Sequence, residues 1–233
     1  MLCLGFAWLA GAAFAASLGY FLYAYFVLFA VPFEPASPSS GTAPALVNLA
    51  LFTAFAMHHS LFARTRLKGV VRRYVPPALE RAVYTLIASL LFVLVCWWWR
   101  PVPGAVWSLS GPWRILGLAA QGAGIVLTLV GGRALDILDL AGIRQVLTAG
   151  PRTAPLKTDG LYGFVRHPLY FAWMLLVFGA PDMTGTRFAF AVISTVYLAL
   201  AIPLEERSLI ETFGPAYASY QGKVRWRMVP WLY

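Results

Sequence analysis

Long apolar runs, separated by short polar or proline-rich breaks, dominate the chain from its first residues. A helix that crosses a hydrocarbon core of roughly 30 Å needs about 20 mainly apolar residues. The pattern predicts four such spans within residues 1–135, at about Leu2–Val31, Pro44–Ala63, Glu80–Trp99 and Pro112–Leu135. The fourth run contains glycines that would let helices approach closely, namely Gly117, Gly122, Gly124, Gly131 and Gly132.

The remainder of the chain follows a different pattern. Residues 136–166 are polar, basic and interrupted by glycine and proline, so no span is predicted there. Two shorter apolar segments, Pro168–Ala180 and Phe188–Leu204, predict a helical hairpin whose first arm is short for a span. Residues 205–233 predict a mixed tail, partly helical at its start. The fold class is an all-α polytopic membrane protein of one domain, with about five to six transmembrane helices.

Composition agrees with this class. Hydrophobic residues make up 60% of the 233 positions and charged residues 12%, whereas roughly a quarter of a soluble domain is charged. Both cysteines, Cys3 and Cys96, fall inside apolar runs without the spacing of a metal site. We therefore predict structural thiols and no bound metal.

The position of the positive charge indicates its partner. A net charge of +9 would attract nucleic acid, but the basic residues lie between and after the apolar runs, where they meet lipid headgroups and orient the spans. With a cytoplasmic N-terminus, Arg100, Arg114 and Arg187 lie on the far side and the other fifteen of the eighteen on the near side. We expect membrane lipids as partners, no nucleic acid, and a bacterial inner-membrane location.

The densest polar stretch, Gly160–Tyr170, stands where the fifth apolar segment begins, on the predicted cytoplasmic face. Pro168 suits the first turn of a helix, which would place His167 beside free backbone N–H groups. Glu205 and Glu206 begin the tail on the same face, and two carboxylates that face an aromatic, basic segment suit a small cationic ligand. The same residues also fit interfacial anchors and a solvated helix end.

Motifs in a fixed order carry a resemblance to a known family. They are Gly160-Leu161-Tyr162, Val165-Arg166-His167-Pro168-Leu169-Tyr170, Leu204-Glu205-Glu206, Phe213-Gly214, Tyr217 and Tyr220. This set resembles the membrane methyltransferases of the isoprenylcysteine carboxyl methyltransferase superfamily. Other elements resemble its bacterial methanethiol S-methyltransferase branch, namely His59-Ser60, Ala63-Arg64, Gly142-Ile143-Arg144-Gln145-Val146, Pro181 and Met183-Thr184.

The resemblance implies a methyl donor, S-adenosylmethionine, held in a cytoplasmic pocket, with residues 136–233 as the catalytic motif region. No glycine-rich strand–turn–helix occurs, so a Rossmann-type cofactor site is excluded. Glu205 would meet the amino-acid part of the donor, and Glu206 would assist. By motif matching, the donor-binding residues are Gln145, Leu156, Tyr162, His167, Pro168, Tyr170, Glu205 and Glu206.

The methyl acceptor is inferred from one position at which this chain differs from the carboxyl-methylating relatives. Carboxyl-methylating relatives carry an arginine where this chain has Ala201, which favours a small neutral thiol such as methanethiol over a carboxylate. A thiol must lose its proton before it attacks. His59 is therefore predicted as a catalytic base or thiol-orienting group, although a histidine that anchors the second span is an equal alternative. Arg166 is predicted to act catalytically by lowering the pKa of the thiol, and Arg144 to bind lipid phosphate.

Other functions stay open. A carboxyl or phospholipid amine acceptor would keep the donor and change the product. A non-catalytic membrane protein, such as an accessory factor of nitrogen oxide metabolism or a transporter, would use neither. A transporter would place ionisable groups near the bilayer middle, and the predicted spans are almost free of charge. The sequence does not predict an oligomeric state.

Overall fold

The computed structural model describes residues 1–34, 42–62, 73–134, 136–148 and 155–233. These residues form α-helices, one two-stranded sheet, a π-helical turn at Ala24–Leu28 and a 3₁₀ turn at Gly160–Gly163. The helices are α1 (Leu2–Tyr23), α2 (Thr42–Phe62), α3 (Glu80–Trp98), α4 (Gly111–Ala134), α5 (Ile137–Leu140), α6 (Ile143–Leu147), α7 (Pro168–Phe178), α8 (Gly185–Phe213) and α9 (Pro215–Lys223), and the strands are β1 (Ala105–Ser108) and β2 (Asp182–Thr184). The Ala63-Arg64 motif lies outside the described residues.

The structure is mostly helical and contains helices long and apolar enough to cross a membrane, which agrees with the predicted class. Within the described residues there are four: Leu2–Leu28, Glu80–Trp98, Gly111–Arg133 and Gly185–Phe213. Helix α2 forms as predicted but is not among them. Helix α7 has 11 residues. The total of five to six spans therefore stays a prediction.

The chain divides into two compact units. The first comprises Met1–Gly104, Leu135–Thr153 and Thr184–Thr186. In it, α3 packs against α1 and α2, and α6 packs against α1. A buried core joins α1, α3 and α6, and it is made of Ala7, Ala10, Ala82, Ala141 and Ile143. Gly142 has φ 79° and its α-carbon faces the backbone of Ala82 so closely that any side chain would collide. A glycine is required there by both conformation and space.

The second unit comprises Ala105–Ala134, Ala154–Met183 and Arg187–Tyr233. Its main contact is between α4 and α7. A β-carbon on Gly124 would lie 2.6 Å from the carbonyl oxygen of Ala172, and one on Gly117 would lie 2.8 Å from that of Gly179. The predicted close approach is confirmed at Gly117, Gly124 and Gly131. It is wrong for Gly122 and Gly132, since a β-carbon there would meet no described atom within 4 Å.

The start of the predicted tail is helical, as expected. The apolar segment ends at Leu204, and α8 continues from it without a break to Phe213, so Glu205 and Glu206 lie inside one continuous helix. Pro203 removes the backbone donor that would bind the carbonyl of Ala199. The hydroxyl of Tyr233 lies 3.4 Å from that carbonyl oxygen and takes the place of the missing N–H.

Candidate functional site

The start of α7 positions the first part of the site. Pro168 occupies the first helical turn and His167 is the N-cap residue, as predicted. The segment before the helix is fixed by backbone hydrogen bonds to the end of the chain. The N–H of Arg166 donates to the carbonyl of Trp226 at 2.9 Å, and the N–H of His167 donates to that of Arg227 at 2.7 Å. His167 is therefore held by its backbone as well as by its side chain.

Glu205 faces an aromatic pair at this position. The hydroxyl of Tyr170 donates to Oε2 of Glu205 at 2.6 Å. The rings of His167 and Tyr170 are stacked, with centroids 5.3 Å apart and planes at 15°. Nδ1 of His167 lies 3.6 Å from Oε2 of Glu205, whose side chain is 44% exposed. A half-exposed carboxylate beside two stacked rings can hold a small cation by charge and by the π-face.

Glu206 lies in a different environment, with its side chain 5% exposed. Nε of Arg166 donates to its Oε1 at 2.6 Å, and Nε2 of His167 lies 3.3 Å from the same oxygen. Nε2 of Gln221 donates to Oε2 at 3.2 Å, and Nε of Arg227 lies 3.4 Å from Oε2. Both oxygens are therefore engaged, and the negative charge is compensated inside the protein.

An aromatic cluster adjoins the carboxylates within the second unit. Leu156 and Tyr162 pack against Tyr217, Tyr220 and Val224, and the hydroxyl of Tyr220 donates to the carbonyl of Tyr162 at 2.7 Å. Burial, with the nearby charge of Glu205, raises the pKa of Tyr162 to about 12. Tyr162 therefore presents a neutral phenol at physiological pH. Eight of the predicted site residues therefore belong to one unit, namely Leu156, Tyr162, Arg166, His167, Pro168, Tyr170, Glu205 and Glu206.

Two predicted site residues belong to the first unit. Gln145 is buried, and its Oε1 accepts the N–H of Arg81 at 3.2 Å, at the start of α3. His59 contacts Tyr84, whose hydroxyl lies 2.9 Å from Nδ1 of His59. Arg144 forms an ion pair with Asp136. Each of these side chains has a protein partner in its own unit.

Several residues of these clusters carry no signal in the sequence. Gln221 and Arg227 reach Glu206 across 15 and 21 positions, and Tyr84 reaches His59 across 25. These contacts arise only when distant segments pack together. Tyr217 was part of the motif without an assigned role. Its side chain is buried, and its hydroxyl has no hydrogen-bond partner among the described residues.

Several proteins of similar sequence are named methanethiol S-methyltransferase, and others, at 28% identity, are named nurim. The chain is 37% identical to methanethiol S-methyltransferase 1 of Bradyrhizobium diazoefficiens, over 80% of this chain and 67% of the relative. It is 36% identical to a methanethiol S-methyltransferase of a Pseudomonas species, over 77% and 71%. It is 34% identical to the one of Mycobacterium tuberculosis, over 80% and 78%. No protein-family model and no solved structure matches the chain.

Proposed function

Since the chain belongs to the methanethiol S-methyltransferase family and is a methyltransferase, we propose that it transfers a methyl group from S-adenosylmethionine to methanethiol. The product would be dimethyl sulfide. The names of the relatives support the acceptor, and the resemblance of the motifs supports the donor. The four long apolar helices among the described residues agree with a protein embedded in the membrane. A bacterial inner-membrane location, with the site facing the cytoplasm, is supported by the distribution of basic residues.

One observation carries the donor assignment: Glu205 is half exposed while Tyr170 and His167 are stacked beside it. S-adenosylmethionine bears a cationic sulfur and a cationic amino group. A carboxylate flanked by aromatic rings is suited to either cation. In this proposal Glu205 binds the amino group of the donor, and Leu156, Tyr162 and Pro168 contribute to the walls of the pocket.

The chain's own contribution to the reaction is binding, orientation and proton removal. When bound, S-adenosylmethionine supplies a methyl group on a cationic sulfur. Attack by an anionic thiolate neutralises both charges, so a poorly hydrated site favours the transfer. Most of the acceleration would come from residues of the site that hold the thiol and the donor in fixed positions. His59 is proposed to take the proton of the thiol.

Purified protein with radiolabelled S-adenosylmethionine tests the function. A panel of methanethiol, longer thiols, prenylated cysteine and a phospholipid amine separates the acceptors. Transfer to methanethiol with a preference over the other acceptors is the expected result. Transfer only to prenylated cysteine or only to the phospholipid amine would reject methanethiol as the acceptor. Absence of S-adenosylhomocysteine binding in calorimetry, by protein that stays folded and monodisperse in detergent, would favour the non-catalytic alternative.

A further inference from the structure

Two adjacent residues hold four consecutive carbonyl groups of one segment. We call this segment, Val224–Arg227, the strap. Nη1 of Arg166 donates to the carbonyls of Val224 and Arg225 at 2.7 and 2.9 Å. The backbone N–H groups of Arg166 and His167 donate to the next two carbonyls, at 2.9 and 2.7 Å. The strap therefore lies directly against Arg166 and His167, the two residues that precede α7.

The charge of Arg166 is used inside the protein. Its side chain is 6% exposed, and its Nε forms a 2.6 Å ion pair with Glu206. Breaking such a buried pair by removing one partner leaves an uncompensated charge, which is costly. A guanidinium engaged through Nε and Nη1 with a carboxylate and two carbonyls is suited to fixing geometry. It is poorly placed to lower the pKa of a thiol.

Glu206 connects this pair to His167. Oε1 of Glu206 contacts both Nε of Arg166 and Nε2 of His167. Because a carboxylate can only accept hydrogen bonds, Nε2 of His167 must carry a proton to donate to Glu206. Nδ1 of His167 then faces Glu205. The two adjacent glutamates consequently have different roles. Glu205 faces the exposed side of the His167–Tyr170 pair, and Glu206 balances the charge of Arg166 inside the protein.

We propose that Arg166 and Glu206 are positioning residues, whose buried ion pair fastens the strap to the start of α7 and so fixes the ring of His167 for donor binding. This assignment replaces the catalytic role predicted for Arg166 and the direct donor contact predicted for Glu206. This proposal rests on the proposed function, because its test measures the affinity for the methyl donor. Glu205 keeps the direct contact.

The test compares Arg166→Gln, Glu206→Gln, the double variant and Glu205→Gln in detergent. Arg207→Gln, an exposed arginine beside Glu206 on α8, is the matched control. Hydrogen–deuterium exchange of residues 164–168 reports the N–H groups that donate to the strap. Calorimetry with S-adenosylhomocysteine reports the donor site. Arg166→Lys, which keeps the charge but has one nitrogen in place of the guanidinium, serves if Arg166→Gln does not fold.

Removal of either partner is expected to speed exchange at residues 164–168 and weaken S-adenosylhomocysteine binding about tenfold, the size of one lost charge-assisted hydrogen bond. The double variant should be no worse than the poorer single variant, since the two side chains act as one unit. Glu205→Gln should weaken binding equally with exchange unchanged. Arg207→Gln should change neither.

Two results would overturn the assignment. Arg166→Gln with normal exchange and normal S-adenosylhomocysteine affinity, but no methyl transfer, would make Arg166 a catalytic residue. Additive losses in the double variant would show that the two residues act separately. If the wild type bound no S-adenosylhomocysteine, the proposed donor would be rejected, and the exchange comparison would still decide whether the ion pair fastens the strap.

Discussion

The hydroxyl of Tyr84 lies 2.9 Å from Nδ1 of His59 and 3.1 Å from the backbone carbonyl oxygen of the same residue. A phenol has one proton and a carbonyl can only accept. Both contacts are satisfied when Tyr84 donates to the carbonyl and His59 donates from Nδ1 to the Tyr84 oxygen. The lone pair of the imidazole is then on Nε2. In this tautomer Nε2 of His59 can accept a proton, as a general base must.

Tyr84→Phe removes both hydrogen bonds and leaves the tautomer unselected. Turnover with methanethiol is expected to fall about fivefold, the effect of roughly one neutral hydrogen bond, and His59→Gln should lower it by at least about 100-fold if the residue is a general base. S-adenosylhomocysteine affinity should not change in either variant. Tyr74→Phe, at a tyrosine that is 85% exposed, is the control for the substitution itself.

A more acidic thiol makes this prediction specific. A thiol that is already ionised at the assay pH needs no base, so both variants should approach wild-type turnover with it. Assays of thiophenol beside methanethiol, across a range of pH, give this comparison. Equal losses with both thiols would exclude His59 as the base and leave it as an anchor of α2.

Tyr170→Phe keeps the ring that stacks on His167 and removes the hydroxyl that donates to Glu205. The carboxylate would then lose its fixed orientation. We expect S-adenosylhomocysteine to bind roughly fivefold more weakly, in keeping with one hydrogen bond. Tyr170→Leu removes the ring too and should be worse. Unchanged affinity in Tyr170→Phe, measured by calorimetry, would mean that this hydroxyl has no part in presenting Glu205.

Local rules predicted the parts of the site that depend on neighbouring residues. Pro168 starts α7 and His167 caps it because a proline needs no hydrogen-bond donor in the first turn. Hydropathy predicted the apolar part of α8 and a partly helical start of the tail, but it does not show that the two form one continuous helix to Phe213. Glu205 and Glu206 are one position apart and so project in different directions. Which of them is buried depends on Arg166, Gln221 and Arg227, which the fold brings from distant positions.

Helix packing in the second unit gives a stability prediction. Gly124→Val would place a β-carbon 2.6 Å from Ala172 and 2.7 Å from Leu176, both backbone atoms of α7. The two helices must separate, which costs about 1–3 kcal/mol for an overpacked position. Gly122→Val makes the same substitution in the same helix, where no described atom lies within 4 Å. Thermal unfolding in one detergent should lower Tm for Gly124→Val alone, and equal shifts would contradict the α4–α7 contact.

The carboxylate of Asp182 in β2 gives a pH-dependent prediction. The hydroxyl of Ser108 donates to its Oδ1 at 2.7 Å and Nη1 of Arg114 to its Oδ2 at 2.9 Å. These two contacts lower the pKa of Asp182 below the ordinary value of 3.8 for an aspartate. A carboxyl group whose pKa is lower in the folded state stabilises the fold above its unfolded pKa, and this contribution is lost as the pH falls through the folded value. Because the side chain is 48% exposed, the contribution is small, about 0.2–1 kcal/mol.

Asp182→Asn should therefore unfold at a lower temperature than wild type at pH 7, and the difference should shrink as the pH falls below 3.8. High salt should reduce it at pH 7, because exposed charges are screened. Asp159→Asn is the matched control, since Asp159 is exposed and its side chain makes no hydrogen bond among the described residues. A Tm difference for Asp182→Asn that stays constant from pH 7 to pH 3 would exclude the charge of Asp182 as its cause.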